Sequence, residues 1–389
     1  MTEPNSQLLR VQNLRTYFDT DDGMVRAVDG VSFHIDTGET FALVGESGCG
    51  KSVTSFSILK LLPYPPAFHP SGKVTFSRQT LMDVTETDDR TRPRDRGLGD
   101  KQMRHIRGGQ IGIIFQEPMT SLNPVFTCGS QIVEAIRLHQ DLTRSDARLL
   151  AIDLLDRVGI PSPEQRFREY PHQLSGGMRQ RVMVAMALSC NPELLIADEP
   201  TTALDVTIQD QILRLMSELQ AASRLSILLI THDLAVVAEA AHRVAVMYAS
   251  KIVETTDVRS LYASPTHPYT HGLFRSVPKL GETKDRLSTI EGSVPNPLAF
   301  PSGCKFHLRC PLTRKHAAEA SQADTIETAV AGGTGRVLRR CAECEPELRE
   351  IRPGHWTACW EVDGYERAKA TDPSEPAAVR ETTNLTKPT

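Results

Sequence analysis

Residues 45–52 of the chain read Gly-Glu-Ser-Gly-Cys-Gly-Lys-Ser, which fits the phosphate-loop pattern G-x-x-x-x-G-K-[ST]. The preceding residues, Thr40 to Val44, form a short apolar run that is typical of a strand covered on both faces. A helix is predicted over residues 53–62, where Pro63 ends it. Because strand, glycine loop and helix follow one another in the order that phosphate binding requires, the sequence predicts a nucleoside triphosphate site here.

The residue types in this loop suit a triphosphate. Glycines let successive backbone N–H groups turn toward phosphate oxygens, and the helix N-terminus adds a favourable dipole. Lys51 is expected to contact the β- and γ-phosphates, and the Ser52 hydroxyl to ligate Mg²⁺. The residues predicted to bind the nucleotide are Gly45, Glu46, Ser47, Gly48, Cys49, Gly50, Lys51, Ser52 and Val53.

Two further apolar runs predict neighbouring strands of a parallel sheet. Residues 194–197 end at Asp198-Glu199, and residues 226–230 end just before His232. A segment with helical apolar spacing joins the two runs, which predicts a βαβ crossover. The carboxyl ends of such strands meet at one sheet edge, where ligands bind. We therefore expect Asp198 to hold Mg²⁺, mostly through water, and Glu199 to polarise the attacking water.

The composition is that of a globular protein. The 389 residues suggest two or three domains at roughly 150 residues each. Lys+Arg number 44 and Asp+Glu 48, which gives a net charge of −4 and no basic excess for nucleic acid. The apolar runs are too short to span a bilayer, and no signal peptide is visible, so a cytoplasmic location is predicted. The eight cysteines are then expected to be free or metal-bound.

A second glycine-rich segment, residues 174–178, lies shortly before Asp198. It places a serine and two glycines at a predicted helix start, which makes a second anion-binding site. Taken together, the motifs resemble the nucleotide-binding subunit of an ABC transporter over roughly residues 8–275. In chain order they are Gly45–Ser52, Gln116, Leu174-Ser175-Gly176-Gly177-Met178, Asp198-Glu199, Ala203-Leu204-Asp205 and His232.

The resemblance implies an α/β fold, with a P-loop NTPase (RecA-like) core, an ABC helical subdomain and a small Cys-containing C-terminal extension. It places the ABC nucleotide-binding domain at residues 1–275, with the helical subdomain at about 117–188. The extension takes residues 276–365, and the polar residues 366–389 are predicted to be a disordered tail.

The resemblance also implies an ATP-hydrolysing motor and assigns roles. Gln116 would contact Mg²⁺ and the water, and His232 would hydrogen-bond the γ-phosphate and orient Glu199. Residues 174–178 of one subunit would cap ATP held by the other; Met178 stands where glutamine is usual. Asp205 would lie at the dimer interface or cap the helix that follows it. Tyr17 or Phe18 would stack on adenine, with Phe18 favoured.

The sequence outside these motifs indicates one kind of transporter. Residues 116–124, 170–174 and 264–269 are similar to oligopeptide/dipeptide importer ATPases, whose relatives move nickel complexes or glutathione. The resemblance implies a second ABC ATPase subunit, expected to be a paralogue, two membrane permeases and a solute-binding protein, with no nucleic acid partner. The chain would lie peripherally on the cytoplasmic face of the inner membrane.

The extension carries five cysteines that resemble those of the same importer family, some members of which bind a [4Fe–4S] cluster. Four soft thiolates suit zinc as well as iron, so a zinc site remains an alternative, and so does a segment that binds no metal. Residues 314–340 make the spacing between Cys310 and Cys341 unusually long and are predicted to be an inserted loop. The matching positions are Cys304, Cys310, Cys341 and Cys359, with Cys344 as an alternative ligand.

Two other functional classes compete with a transporter motor. A soluble ABC ATPase of DNA repair or translation would be expected to carry coiled-coil insertions or two nucleotide domains. The chain shows one phosphate loop and no sustained heptads. A non-hydrolysing binding module would have no need of Glu199 and His232.

Overall fold

A computed structural model describes residues 7–84, 95–117, 121–202, 205–276 and 289–375. The chain divides into two compact units. The first unit comprises residues up to His34, Ala42–Gly97 and the chain from His232 onward. The second comprises Ile35–Phe41 and Leu98–Thr231.

The described residues form the following strands and helices. The strands are β1 (Gln7–Thr20), β2 (Gly23–Asp36), β3 (Thr40–Val44), β4 (Ala67–Phe68), β5 (Gly72–Phe76), β6 (Gln79–Val84), β7 (Ile111–Ile114), β8 (Leu194–Asp198), β9 (Ser226–Thr231), β10 (Arg243–Tyr248), β11 (Lys251–Asp257), β12 (Thr325–Val330), β13 (Gly333–Leu338), β14 (Arg349–Arg352), β15 (His355–Thr357) and β16 (Lys369–Ala370). The helices are α1 (Lys51–Ile58), α2 (Asp100–Ile106), α3 (Cys128–His139), α4 (Arg144–Arg157), α5 (Pro163–Arg166), α6 (Gly176–Leu188), α7 (Val206–Ser223), α8 (Leu234–Ala240), α9 (Val258–Ala263), α10 (Pro268–Ser276), α11 (Pro311–Glu319) and α12 (Arg339–Glu343).

The first unit is built on antiparallel pairs. One sheet has the order β2-β1-β5-β6, with β4 paired to β1. A second group of antiparallel pairs has the order β16-β14-β15-β11-β10. Tyr248, Tyr269 and Phe306 are buried together in the core of this unit. Each such side chain stabilises the fold by about 1.5–3 kcal/mol on burial, so the extension that supplies Phe306 is part of this core.

The second unit contains three parallel strands in the order β9-β8-β7. Every residue of β8 and β9 is buried, which explains their continuous apolarity. Helix α7 connects β8 to β9, and the predicted βαβ crossover is therefore confirmed. Helices α3, α4 and α6 pack against one another in the same unit. No helix in the described ranges is long and apolar enough to cross a membrane.

The structure differs from the sequence predictions in four places. The predicted loop 314–340 contains part of α11 and the hairpin of β12 and β13, which Ala331 and Gly332 join in a two-residue turn where Gly332 has φ 93°. Residues 366–375, assigned to the disordered tail, include strand β16 paired with β14; residues 376–389 lie outside the described ranges. Helix α1 ends at Ile58 rather than at residue 62. The sequence of residues 86–107 is rich in charged side chains and predicts a surface insertion, but α2, within this segment, buries Met103 and Ile106.

Candidate active site

The phosphate loop connects β3 to α1, and α1 begins at Lys51. The Lys51 side chain is buried at 5% exposure. Its Nζ donates to the carbonyl oxygens of Gly45 at 2.8 Å and Glu46 at 3.0 Å. The backbone of the loop therefore surrounds the Lys51 ammonium group. Ser47 and Gly48 form the exposed tip of the loop.

Close backbone contacts explain the glycines that begin and end the loop pattern. A Cβ atom on Gly45 would lie 2.1 Å from the Met247 carbonyl oxygen. A Cβ atom on Gly50 would lie 2.1 Å from the Ala27 carbonyl oxygen, and Gly50 also has φ 102°. Any other residue at these positions would push the loop away from β10 or β2.

The two candidate adenine contacts lie next to each other on β1. The Tyr17 hydroxyl donates to Asp29 Oδ1 at 2.8 Å, and its ring packs edge-on against Phe68. Burial and the nearby Asp29 carboxylate raise the pKa of Tyr17. Phe18 follows on the opposite face of the strand, because side chains alternate. The Tyr17 side chain is thus held by contacts within the protein, whereas the Phe18 side chain has no polar group that needs a hydrogen-bond partner.

The strand end at Asp198 and Glu199 has the geometry of a polar site. Asp198 is fully buried at the end of β8. Glu199 has φ 47°, an uncommon backbone conformation for a non-glycine residue, and its N–H donates to the Ile230 carbonyl at 2.8 Å. Its Oε2 accepts from Gln116 Nε2 at 3.0 Å and from Thr202 Oγ1 at 2.8 Å. Two donors therefore hold the carboxylate in one orientation.

Of these contacts, sequence reasoning placed Gln116 and Glu199 at one sheet edge, and the structure brings them together. It did not identify Thr202. The available signal was a threonine three residues after Glu199, where a hydroxyl can return to the carboxylate. Gln180 was also missed: its Nε2 donates to the Pro200 carbonyl at 2.5 Å, and the residue is buried. It connects α6 to the turn that follows Glu199.

Residues 174–178 form the start of α6. The Ser175 side chain caps this helix and accepts from the Met178 N–H at 3.3 Å. Nothing lies within 4 Å of a Cβ placed on Gly176, whereas one on Gly177 would meet Ile208 at 3.0 Å. The helix start is therefore open on the Gly176 side, as an anion-binding terminus requires.

Asp205 and His232 each begin a turn into a helix. Asp205 Oδ1 accepts from the Ile208 N–H at 2.9 Å, so Asp205 is the N-cap of α7. His232 directly follows β9 and is exposed. The preceding Ala203 and Leu204 of the predicted motif lie outside the described ranges. Tyr17, Phe18, the phosphate loop and His232 belong to the first unit, and the other predicted site residues of the nucleotide motifs to the second.

The four predicted cluster cysteines line one small cavity, together with Thr313 and Trp360. Burial, aided by neighbouring acidic groups, raises the pKa of the Cys341 thiol to about 11. Burial likewise raises the pKa of Cys304 and Cys359. Among the described residues, no group of three or more His, Cys, Asp or Glu side chains is arranged to hold a metal ion. Cys344 is exposed and does not line this cavity.

Two protein-family descriptions match the chain. The family described as "ABC transporter" matches residues 28–202. The family described as "Oligopeptide/dipeptide transporter, C-terminal region" matches residues 253–316.

Curated relatives extend the similarity over most of the chain. The chain is 52% identical over 306 residues to the oligopeptide transport ATP-binding protein AppD of Bacillus subtilis, covering 79% of this chain and 89% of that protein. It is 48% identical over 304 residues to the dipeptide transport ATP-binding protein DppD of Escherichia coli, covering 78% and 88%.

Solved structures agree in fold. A bacterial ABC transporter cassette, solved as a dimer, aligns with a TM-score of 0.55 at 25% identity, covering 65% of this chain and 99% of that chain. A cassette of Clostridium perfringens that is part of an ABC transporter complex aligns with a TM-score of 0.53 at 26% identity, covering 67% and 92%. The predicted fold class is confirmed by these similarities.

Proposed function

Because the chain belongs to the family of ABC transporter ATP-binding subunits and is an ATPase, we propose that it powers the uptake of dipeptides or oligopeptides. The match of residues 253–316 to the C-terminal region of oligopeptide/dipeptide transporters carries this choice of solute. A related solute, such as a nickel complex or glutathione, is the alternative within the same class. Solute choice itself lies in other subunits.

ATP hydrolysis in this family uses Mg²⁺, and the residues present suit both groups. The loop offers buried backbone amides and the Lys51 ammonium to phosphates. Ser52, Gln116 and Asp198 offer the oxygen ligands that Mg²⁺ prefers. Bound Mg²⁺ would neutralise charge on the phosphates. Phe18 is proposed to stack on adenine, since the Tyr17 hydroxyl is held by Asp29.

Glu199 is proposed to orient and polarise the attacking water. Gln116 and Thr202 would hold its carboxylate in position to accept a proton from that water. His232 would hydrogen-bond the γ-phosphate, and Lys51 would stabilise the charge that develops there.

The proposed assembly is a dimer of ATPase subunits, with a paralogue as the mate. Residues 174–178 of each subunit would cap the triphosphate held by the other, with Asp205 near the interface. We propose residues 1–275 as the nucleotide-binding domain, with its helical subdomain at about 117–188, and residues 276–365 as the extension. Two permeases and a solute-binding protein would complete the importer, with this chain on the cytoplasmic face of the inner membrane.

Co-purification with the products of neighbouring genes tests the transport function. We expect two permeases and a second ATPase to be recovered, and the reconstituted complex to hydrolyse ATP faster when peptide and binding protein are added. Glutathione and a nickel complex are the comparison solutes. An ATPase that associates with no membrane protein, or with nucleic acid, would contradict an importer.

We propose that Cys304, Cys310, Cys341 and Cys359 hold a [4Fe–4S] cluster. Four thiols on one cavity are the appropriate donor set, and a bound cation would reverse the high thiol pKa values that burial imposes. Anaerobically purified protein is expected to contain about four iron atoms per chain. Cys359→Ser should lose this iron, and Cys344→Ser, at an exposed thiol outside the cavity, should keep it. Zinc instead of iron, or no metal, would refute the cluster.

A further inference from the structure

The segment Cys304–Cys310, which lies between two of the proposed cluster cysteines, sends two cationic side chains toward the nucleotide site. Arg309 contacts the phosphate loop, and Lys305 contacts the residue that holds Tyr17. All of these residues belong to the first unit. Neither cation belongs to the nucleotide motifs, so the roles proposed above leave both unexplained.

Arg309 forms a forked ion pair with Glu46, the second residue of the loop. Its Nη1 donates to Glu46 Oε2 at 2.8 Å, and its Nη2 donates to Oε1 at 3.1 Å. The Arg309 side chain is only 5% exposed, and that of Glu46 is 30% exposed. Burial lowers the pKa of Arg309, but its hydrogen bonds to Glu46 and Tyr248 outweigh burial and raise it. The charged guanidinium of Arg309 therefore holds the Glu46 side chain, and with it the phosphate loop, in one position.

Aromatic residues support the same loop position. The Tyr269 hydroxyl accepts from the Glu46 N–H at 2.9 Å. Phe306 packs against Tyr269 and Tyr248, with ring centroids 5.5 Å and 5.1 Å apart. Both the side chain and the backbone of Glu46 are thus held by groups that contact this segment.

Lys305 acts at the other end of the nucleotide site. Its Nζ lies 3.3 Å from Asp29 Oδ2 and donates to the Ala249 carbonyl at 3.1 Å. Asp29 accepts from the Tyr17 hydroxyl through its other oxygen, and Lys251 also approaches it, at 3.7 Å. The Lys305 side chain is 10% exposed. Its charge therefore helps to keep Asp29 ionised and Tyr17 in place.

A carboxylate in a phosphate loop needs this pairing. ATP brings several negative charges to the loop, and an unpaired Glu46 would repel them in a partly desolvated site. We propose that Cys304–Cys310 sets the affinity of the ATP site. Arg309 positions the phosphate loop through Glu46, and Lys305, through Asp29 and Tyr17, positions the part of β1 that carries Phe18, the proposed adenine contact. This inference rests on the proposed nucleotide site at residues 45–53. Both are positioning residues, since each acts through another side chain.

ATP affinity and steady-state hydrolysis of the full chain test Arg309. Arg309→Gln is expected to raise KM and the dissociation constant for ATP by about 10-fold, the size expected when a charge-assisted pair is broken, with kcat within about twofold. Adding Glu46→Gln should restore affinity, because it removes the carboxylate left unpaired. Arg309→Lys keeps the positive charge but cannot form the forked pair of hydrogen bonds, so its ATP affinity should lie between those of the unsubstituted protein and Arg309→Gln. Arg314→Gln, which breaks a pair with Glu291 in the same extension, is the matched control.

Inorganic tripolyphosphate separates the two cations. Arg309→Gln should weaken binding of both ATP and tripolyphosphate. Lys305→Met should weaken binding of ATP but leave binding of tripolyphosphate unchanged, because Lys305 acts on the part of β1 that carries Phe18, and tripolyphosphate has no base to contact Phe18.

Distinct outcomes separate this inference from the proposed site. ATP affinity in Arg309→Gln equal to that of Arg314→Gln would overturn the role of Arg309, and so would a loss that Glu46→Gln does not repair. Loss of tripolyphosphate binding in Lys305→Met would overturn the role of Lys305. If Arg309→Gln does not fold, Arg309→Lys and the double variant decide. Normal ATP binding by Lys51→Ala would instead refute the nucleotide site itself.

Discussion

Replacing Glu199 by glutamine is expected to lower kcat for ATP hydrolysis by about 10²–10⁴-fold, the range that a general base contributes. Glutamine has nearly the same shape and can keep a contact with Thr202, but it cannot accept a proton from water. ATP affinity should change little, because Glu199 does not belong to the phosphate loop. Phosphate release in a steady-state assay and binding of a fluorescent ATP analogue measure the two quantities separately.

Glu218→Gln provides the control for this prediction. Glu218 is an exposed carboxylate on α7, in the same unit as Glu199, and its replacement should leave kcat unchanged. Thr202→Val should have an intermediate effect, since Gln116 still holds the Glu199 carboxylate from one side. Normal hydrolysis by the Glu199 variant would assign the water to another group.

The strand ends of this site could be predicted because their signal is local. A continuous apolar run followed by Asp198-Glu199 defines both a buried strand and the polar edge where it stops. Gln116 follows another such run, and parallel pairing of β7 and β8 brings the two ends side by side. The same physical rule therefore gave fold and site together at these positions.

The contacts of the extension could not be predicted, because no local pattern carries them. Arg309 and Glu46 are 263 residues apart in the chain, and only the tertiary fold joins them. The cysteines on either side of Arg309 predict a metal site in this segment, and that pattern gives no sign of the ion pair between Arg309 and Glu46. Gly332 and Gly333 misled in a similar way, since a glycine pair fits an irregular loop and a hairpin turn equally well.

Gly50→Ala is expected to abolish ATP binding at ordinary concentrations. Its Cβ would lie 2.1 Å from the Ala27 carbonyl oxygen and 3.0 Å from Met247 Cε, so the backbone itself must move. Displacement would break at least two amide–phosphate contacts, each worth about 1.5–3 kcal/mol, which corresponds to roughly 10²–10⁴-fold weaker binding. Titration with a fluorescent ATP analogue measures the loss, and a thermal melt shows whether the rest of the chain is folded.

Gly48→Ala is the matched comparison, because the two glycines share a positive φ but differ in surroundings. Gly48 has φ 78°, and nothing lies within 4 Å of its Cβ position. Alanine there meets only backbone strain of roughly 1–2 kcal/mol, so ATP binding should weaken by no more than about 30-fold. Equal losses in both variants would mean that φ alone dictates glycine at Gly50. A larger loss at Gly50 means that close approach of the Ala27 backbone dictates it, which explains why the phosphate-loop pattern specifies glycine at position 50 and leaves position 48 free.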